Sequence, residues 1–170
     1  MIRSKCCIFS IKRRRALPTA FFCGKILIKS AGKGKASMKT HCIRLRRGED
    51  LLPAIRQFAE ERMLEAAVVL SGVGCLSRAV LRDADGRTVR TVEEPCEILS
   101  LTGTVSRQRC HLHIALSRQG LTAFGGHLMP GCMVNTTCEL ILGELPGWRF
   151  GAEQDSKTGY DEIVFTEEAP

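Results

Sequence analysis

Several absences narrow the reading of this chain before any motif does. It has nine cysteines but no Cys-x-x-Cys pair, so the spacing that marks zinc ribbons and redox dithiols is missing. Cys42, Cys75, Cys96, Cys110, Cys132 and Cys138 are mostly singletons inside apolar runs. They read as reduced thiols packed as small hydrophobes, which fits a cytoplasmic protein. No apolar run approaches the roughly 20 residues of a membrane-spanning helix. Gly72-Val73-Gly74 lacks the following Lys-Ser/Thr pair, so it reads as a bend in the chain and not as a phosphate loop.

Acidic residues are absent from one end. Residues 1–37 hold ten Lys or Arg and no Asp or Glu, whereas residues 38–170 hold fifteen Lys or Arg against eighteen Asp or Glu. The formal charge of +7 therefore belongs to a basic leader, and the body carries −3. Such a body is not by itself a DNA-binding surface, because affinity for phosphates needs clustered Lys and Arg. The leader has no periodicity, closes on Gly-Lys-Gly-Lys and meets Met38. It admits three readings: sequence upstream of a natural start at Met38, an Arg-rich targeting peptide, or a basic arm for nucleic acid through Lys12-Arg13-Arg14-Arg15. It has no Arg-Gly-Arg triplet, so it is not an AT-hook. The organisation expected is a leader over 1–37, disordered or untranslated, a domain over 38–166 and a tail over 167–170.

The body alternates between apolar and polar residues along most of its length. His41–Arg46 reads as a strand. Gly48-Glu49-Asp50 then opens a helix, with Leu52, Ile55, Ala59 and Met63 at helical spacing and the acids set to complement the helix dipole. Ala66–Val73 and Leu76–Arg82 read as two strands, and Asp85-Gly86 as a hairpin turn into Arg87–Val92. Cys96–Val105 follows, with Ile98, Ser100, Thr102 and Thr104 on one parity, and Met133–Leu145 is a long strand. Residues 151–170 read as a polar tail with one apolar patch, Ile163-Val164-Phe165. Strands outnumber helices and are joined by short turns, so the expected fold is a single α+β domain, largely antiparallel sheet with one main helix.

Three of the four histidines fall between Cys110 and His127. In Cys110–Ser117, Leu112, Ile114 and Leu116 share one parity and His111 and His113 the other. A strand would therefore bury the former and project two neighbouring imidazoles from its opposite face. A turn at Gln119-Gly120 brings the chain back through Gly125-Gly126, whose lack of side chains permits close backbone approach, to His127. Three neutral imidazoles suit zinc, with a fourth position open to water or substrate.

These residues, in order, resemble a known family. Gly48-Glu49-Asp50-Leu51, Ser71-Gly72-Val73-Gly74-Cys75-Leu76, Glu97-Ile98-Leu99-Ser100-Leu101-Thr102-Gly103, His111-Leu112-His113, Gly125-Gly126-His127-Leu128, Gly131-Cys132 and Thr136-Thr137-Cys138-Glu139 are similar to the PPC domain. This "plants and prokaryotes conserved" domain follows AT-hooks in plants and stands alone in bacteria and archaea. The resemblance implies an α+β fold like that of acetolactate decarboxylase, a homotrimer, and a metal site at His111, His113 and His127. The plant partner-recruitment motif is matched only in its second half, Glu97-Ile98-Leu99. On this reading the protein binds or transforms a small molecule at a zinc-like centre, with Glu139 or Glu97 as acid/base or as a partner orienting an imidazole. The alternative is a DNA-binding regulatory module, as bacterial members are often labelled. No membrane association is expected.

Overall fold

The computed structural model describes residues 37–168; the leader expected over 1–37 thus falls, except for Ser37, outside the described residues. The elements run β1 (Lys39–Arg46), α1 (Leu51–Glu61), β2 (Ala67–Arg82), β3 (Val89–Val92), β4 (Cys96–Val105), β5 (Cys110–Ser117), a short 3-10 turn (Gln119–Leu121), β6 (Ala123–Leu128), β7 (Met133–Glu144), β8 (Trp148–Gln154) and β9 (Asp161–Glu167). The fold is the α+β, largely antiparallel arrangement with one helix that the alternation predicts.

One sheet has the order β1-β7-β2-β4-β5-β6, with β3 on β2, and β8 pairs only with β9. The sheet also closes on itself, because β6 pairs the far end of β2 through Leu81↔Leu128 and Arg82↔His127. β2 can serve both ends because it is one bent strand of sixteen residues. Two strands are expected here from the sequence, since glycines interrupt the apolar run. Instead the ladder to β7 continues through irregularities at Val69/Ser71, Gly74/Leu76 and Leu76/Arg78. Such irregularities bend a strand and raise its twist without ending it. At Gly74 (φ +148) a Cβ would lie 2.2 Å from the Thr137 carbonyl oxygen, so only glycine lets β2 bend there against β7.

A second bulge splits an expected face. The β4–β5 register shifts between Ile98 and Ser100. Ile98 thus enters the core at 6% exposure, while Ser100 is exposed and Thr102 and Thr104 pair with His113 and His111 on the opposite surface.

The core is the inner face of the sheet under α1. Leu51, Leu52, Ile55 and Ala59 of the helix join Leu76, Leu112, Ile114, Leu116, Leu140 and Leu142 in one cluster. Met63 does not extend this stripe. The helix ends at Glu61, Met63 takes φ 53 and is largely exposed, and Leu64, whose N–H donates to the Ala59 carbonyl at 2.9 Å, occupies the core instead. The acids before the helix are also used differently from the dipole reading. The Glu49 carboxylate accepts the Arg46 N–H, and Asp50 accepts the Gly131 N–H at 2.6 Å. They tie the β1–α1 connection to itself and to the loop before β7. The cysteine expectation holds for Cys96, Cys132 and Cys138, which are buried, but Cys42 is exposed. Burial pushes the Cys132 and Cys138 thiols up to about 11, which keeps them protonated and unreactive.

Residues 148–167 depart most from expectation. The segment read as a polar tail is a hairpin in which Trp148 pairs Glu167 and Gln154 pairs Asp161. Phe150 anchors it: the ring is 4% exposed, lies edge-on to Phe165 with centroids 5.0 Å apart, and its backbone N–H donates to the Glu65 carbonyl at 2.9 Å. Its carbonyl accepts the buried Ser106 hydroxyl at 3.2 Å.

Leu112 is 1% exposed and sits between the two strand histidines. Leu112→Ala should cost about 2–5 kcal/mol by cavity formation. Equilibrium urea denaturation measures this, with far-UV circular dichroism expected to stay unchanged.

Candidate metal centre

Alternation along β5 decides where the histidines point. Leu112, Ile114 and Leu116 are buried at 1%, 3% and 0% exposure, so His111 and His113 stand on the opposite face. β6 then lies directly alongside, with His113 opposite His127, Ile114 opposite Gly126 and Ala115 opposite Gly125. The glycine pair makes this possible by close approach. A Cβ on Gly125 would lie 2.4 Å from the Ile114 carbonyl oxygen, and one on Gly126 would lie 2.8 Å from that of Arg82. Any larger residue would push β6 away from β5 or from the end of β2.

The result is a compact cluster. Ring centroids are 5.0 Å apart for His111–His113, 5.1 Å for His111–His127 and 5.4 Å for His113–His127. One nitrogen from each ring lies within 4.8 Å of the other two. Around a tetrahedral zinc such nitrogens stand about 3.3 Å apart, a contraction within reach of small ring rotations. His127 Nδ1 is buried and has no hydrogen-bond partner among the described residues, which leaves its lone pair or proton to be met by a bound group or water. Burial, with the Arg82 charge next and the neighbouring imidazoles after it, holds His127 down at about 4. Burial likewise lowers His111, helped by His113 and Arg109. These two rings are therefore neutral at pH 7, the form a metal ligand requires. Donor set, spacing and orphaned nitrogen all fit a divalent metal.

A cavity of about 930 Å³ opens over the cluster. Besides the histidines its walls carry Arg82, Arg109 and, from the β8–β9 hairpin, Tyr160 and Glu162. Arg109 fastens the hairpin at this wall by donating to the Asp161 carbonyl. A methyl group added at Gly86 would lie 2.8 Å from Tyr160 Oη, so the hairpin also reaches the β2–β3 turn. Sequence reasoning misses all four of these residues. Arg82 and Arg109 look like ordinary strand-end arginines, and nothing local announces that residues 160–162 return to β5.

Of the five site residues expected from the sequence, the structure brings together His111, His113 and His127. Glu97 and Glu139 are exposed and do not line the cavity. Glu139 stands between Arg44 and Val73, and Glu97 between Cys75 and Ser117, in their ladders.

A histidine cluster on the outer face of a self-closing antiparallel sheet defines the class: an α+β domain whose three histidines could hold a metal ion. The chain belongs to the Plants and Prokaryotes Conserved (PCC) domain family, whose profile matches residues 32–146. The β8–β9 hairpin lies beyond the matched residues. Among curated proteins, the bifunctional protein GlmU of a Synechococcus strain is 39% identical over 127 residues. Those residues are 75% of this chain but 20% of that protein, so the chain spans about a fifth of that relative's length. A hypothetical protein from Salmonella shares the fold at a TM-score of 0.76 and 32% identity, over 78% of this chain and 96% of that one. A metal-containing protein from Archaeoglobus fulgidus matches at a TM-score of 0.66 and 31% identity, over 76% of this chain and 96% of that one. A Bacteroides thetaiotaomicron protein whose name proposes DNA binding shares the fold at a TM-score of 0.67 and 24% identity, covering 77% and 98% of the two chains.

The low His127 value has a consequence for stability. An unfolded chain protonates this imidazole near 6.5, the folded chain only near 4, so between those values unfolding takes up a proton that folding excludes. The contribution is complete above pH 6.5 and is lost as pH falls toward 4. Chelator-treated protein should show a falling denaturation midpoint across that window, and the His127→Gln variant a smaller fall.

Proposed function

We propose that this protein is a homotrimeric PCC-domain protein that binds or transforms a small molecule at a zinc centre held by His111, His113 and His127. The observation that carries this reading is the convergence of three imidazole nitrogens to within 4.8 Å at the floor of a cavity of about 930 Å³. A zinc ion with three protein ligands supplies a Lewis acid that polarises a carbonyl or lowers the pKa of a bound water. The chain's own residues do the rest. His111 and His127 arrive neutral because the fold desolvates them, the glycine pair holds His127 across from His113, and the hairpin walls the cavity. Glu162, from that wall, lies near enough for its charge to act on His111, which makes it a candidate proton carrier beside Glu97 and Glu139. Those two would need to meet a site in another protomer.

Exposed apolar residues are in keeping with association between copies of the chain. Leu70 and Val73 on β2 and Leu99 on the adjacent β4 are 46%, 57% and 56% exposed, and large exposed apolar side chains are what an interface between copies covers. A cytoplasmic location is in keeping with the unpaired cysteines, and no helix among the described residues is long and apolar enough to cross a membrane.

A second reading, association with DNA, draws on the ten Lys or Arg of residues 1–37 and would reside in that segment.

Three measurements test these readings. Elemental analysis of purified protein should find one transition-metal ion per chain, and His127→Ala or His113→Ala should lower that toward zero; wild-type protein that takes up no zinc would falsify the centre. Sedimentation equilibrium should give three chains per particle, falling to one in a Val73→Glu, Leu99→Glu double variant. In a mobility-shift assay any DNA binding should weaken steeply with salt and vanish on deletion of residues 1–37; tight binding by the acidic body would reverse the order of the two readings.

A further inference from the structure

The closure of the sheet puts a cation beside the histidines. Arg82 is directly opposite His127 in the β2–β6 ladder, and His127 is directly opposite His113 in the β6–β5 ladder. Directly opposed residues project from the same face with Cβ atoms about 5 Å apart. The guanidinium therefore belongs to the row of imidazoles. Its Nε is buried and has no hydrogen-bond partner, and Arg82 forms no ion pair among the described residues. The two acids that follow it in sequence are committed elsewhere: Asp83 binds Arg90 at 2.6 Å, and Asp85 accepts from Thr88 Oγ1 at 2.6 Å and from the turn N–H groups; Glu162 stands on the opposite, hairpin wall of the cavity.

An unpaired guanidinium next to three metal ligands is unfavourable twice over. Its own donor is buried without an acceptor, which costs stability. A divalent ion a residue's reach away adds like-charge repulsion. Both costs are removed by one thing, an anion lying between the guanidinium and the open side of the metal. A guanidinium presents parallel N–H donors that match the two oxygens of a carboxylate. Glu162 and the main chain of Asp161 form the hairpin wall of the same cavity, so a dianion would meet a carboxylate there where a monoanion need not.

We propose that Arg82 is the anion-recognition residue of the histidine cavity and that the ligand is a small molecule carrying a carboxylate. This rests on the reading of the histidines as a metal centre and adds the class of ligand that centre takes.

The test uses the full chain as wild type, Arg82→Gln and Arg82→Lys. Zinc affinity is measured first by calorimetric titration; Arg82→Gln should bind zinc as well as wild type or more tightly, since a neighbouring positive charge is gone. Cobalt-loaded proteins are then titrated with propionate, propionamide and inorganic phosphate, reading the visible d–d bands. Propionate should perturb the wild-type spectrum with an affinity at least about ten-fold above that of propionamide, Arg82→Gln should lose at least about ten-fold, and Arg82→Lys should keep part of the difference. Phosphate should bind more weakly than propionate. Equal propionate affinity in wild type and Arg82→Gln, tighter binding of phosphate, or no spectral response to propionate would each overturn the proposal while leaving the metal centre standing. Failure of wild-type protein to bind zinc or cobalt would remove both.

Discussion

The site depends on one strand pairing, the seating of β6 between β5 and the far end of β2. Through it His127 faces His113 on one side and Arg82 on the other. The first contact needs only the β5–β6 ladder, but the second needs closure, since in a flat sheet β6 would be an edge with unpaired backbone groups. Closure becomes possible because β2 is long enough to pair β4 and β7 along its first part and β3 and β6 along its last, and because its irregularities turn it between the two. Gly125 and Gly126 then allow the backbones to come together at a distance no side chain would tolerate. Bend and close approach are thus two parts of one constraint. They fix the imidazole positions with backbone hydrogen bonds and not with flexible loops, which is the precision a metal site requires.

Desolvation gives this geometry its chemistry. The outer face of a sheet is ordinarily wet, and imidazoles there would titrate near their usual value. Here the curl of the sheet and the β8–β9 hairpin cover two of the rings enough to lower their affinity for protons. The hairpin is held by a buried aromatic ring, a buried hydroxyl and an arginine bond to its main chain. It therefore acts as a fixed wall. It also lies outside residues 32–146 matched to the family, so the floor of the cavity falls within the matched residues and one side of it in the segment that follows them.

Much of this was legible in the residues, in a graded way. The face assignment of β5 followed from alternation alone, since burying Leu112, Ile114 and Leu116 leaves His111 and His113 only one direction to point. The third histidine was reachable because a turn and two glycines imply a return strand with close contact. Bulges were not legible. One at Ile98/Ser100 moved Ile98 away from the residues sharing its parity, and those in β2 joined two expected strands into one. A bulge changes the register by a single residue and leaves no compositional mark. The hairpin was hidden for a different reason: its one deeply buried side chain, Phe150, is isolated in sequence, and its other aromatic residues, Trp148, Tyr160 and Phe165, stay exposed.

The amino-acid sequence by itself determined the local facts: which residues alternate, where the chain turns, and hence that three histidines would leave one face of neighbouring strands. Those depend on side-chain periodicity and backbone freedom over a few residues. Only the tertiary structure decided what surrounds them. That Arg82 stands beside His127, that Glu162 and Tyr160 wall the cavity, and that Glu97 and Glu139 do not line it are consequences of contacts between segments far apart in the chain. Such contacts are set by how a bent sheet closes over its core, which no local pattern encodes.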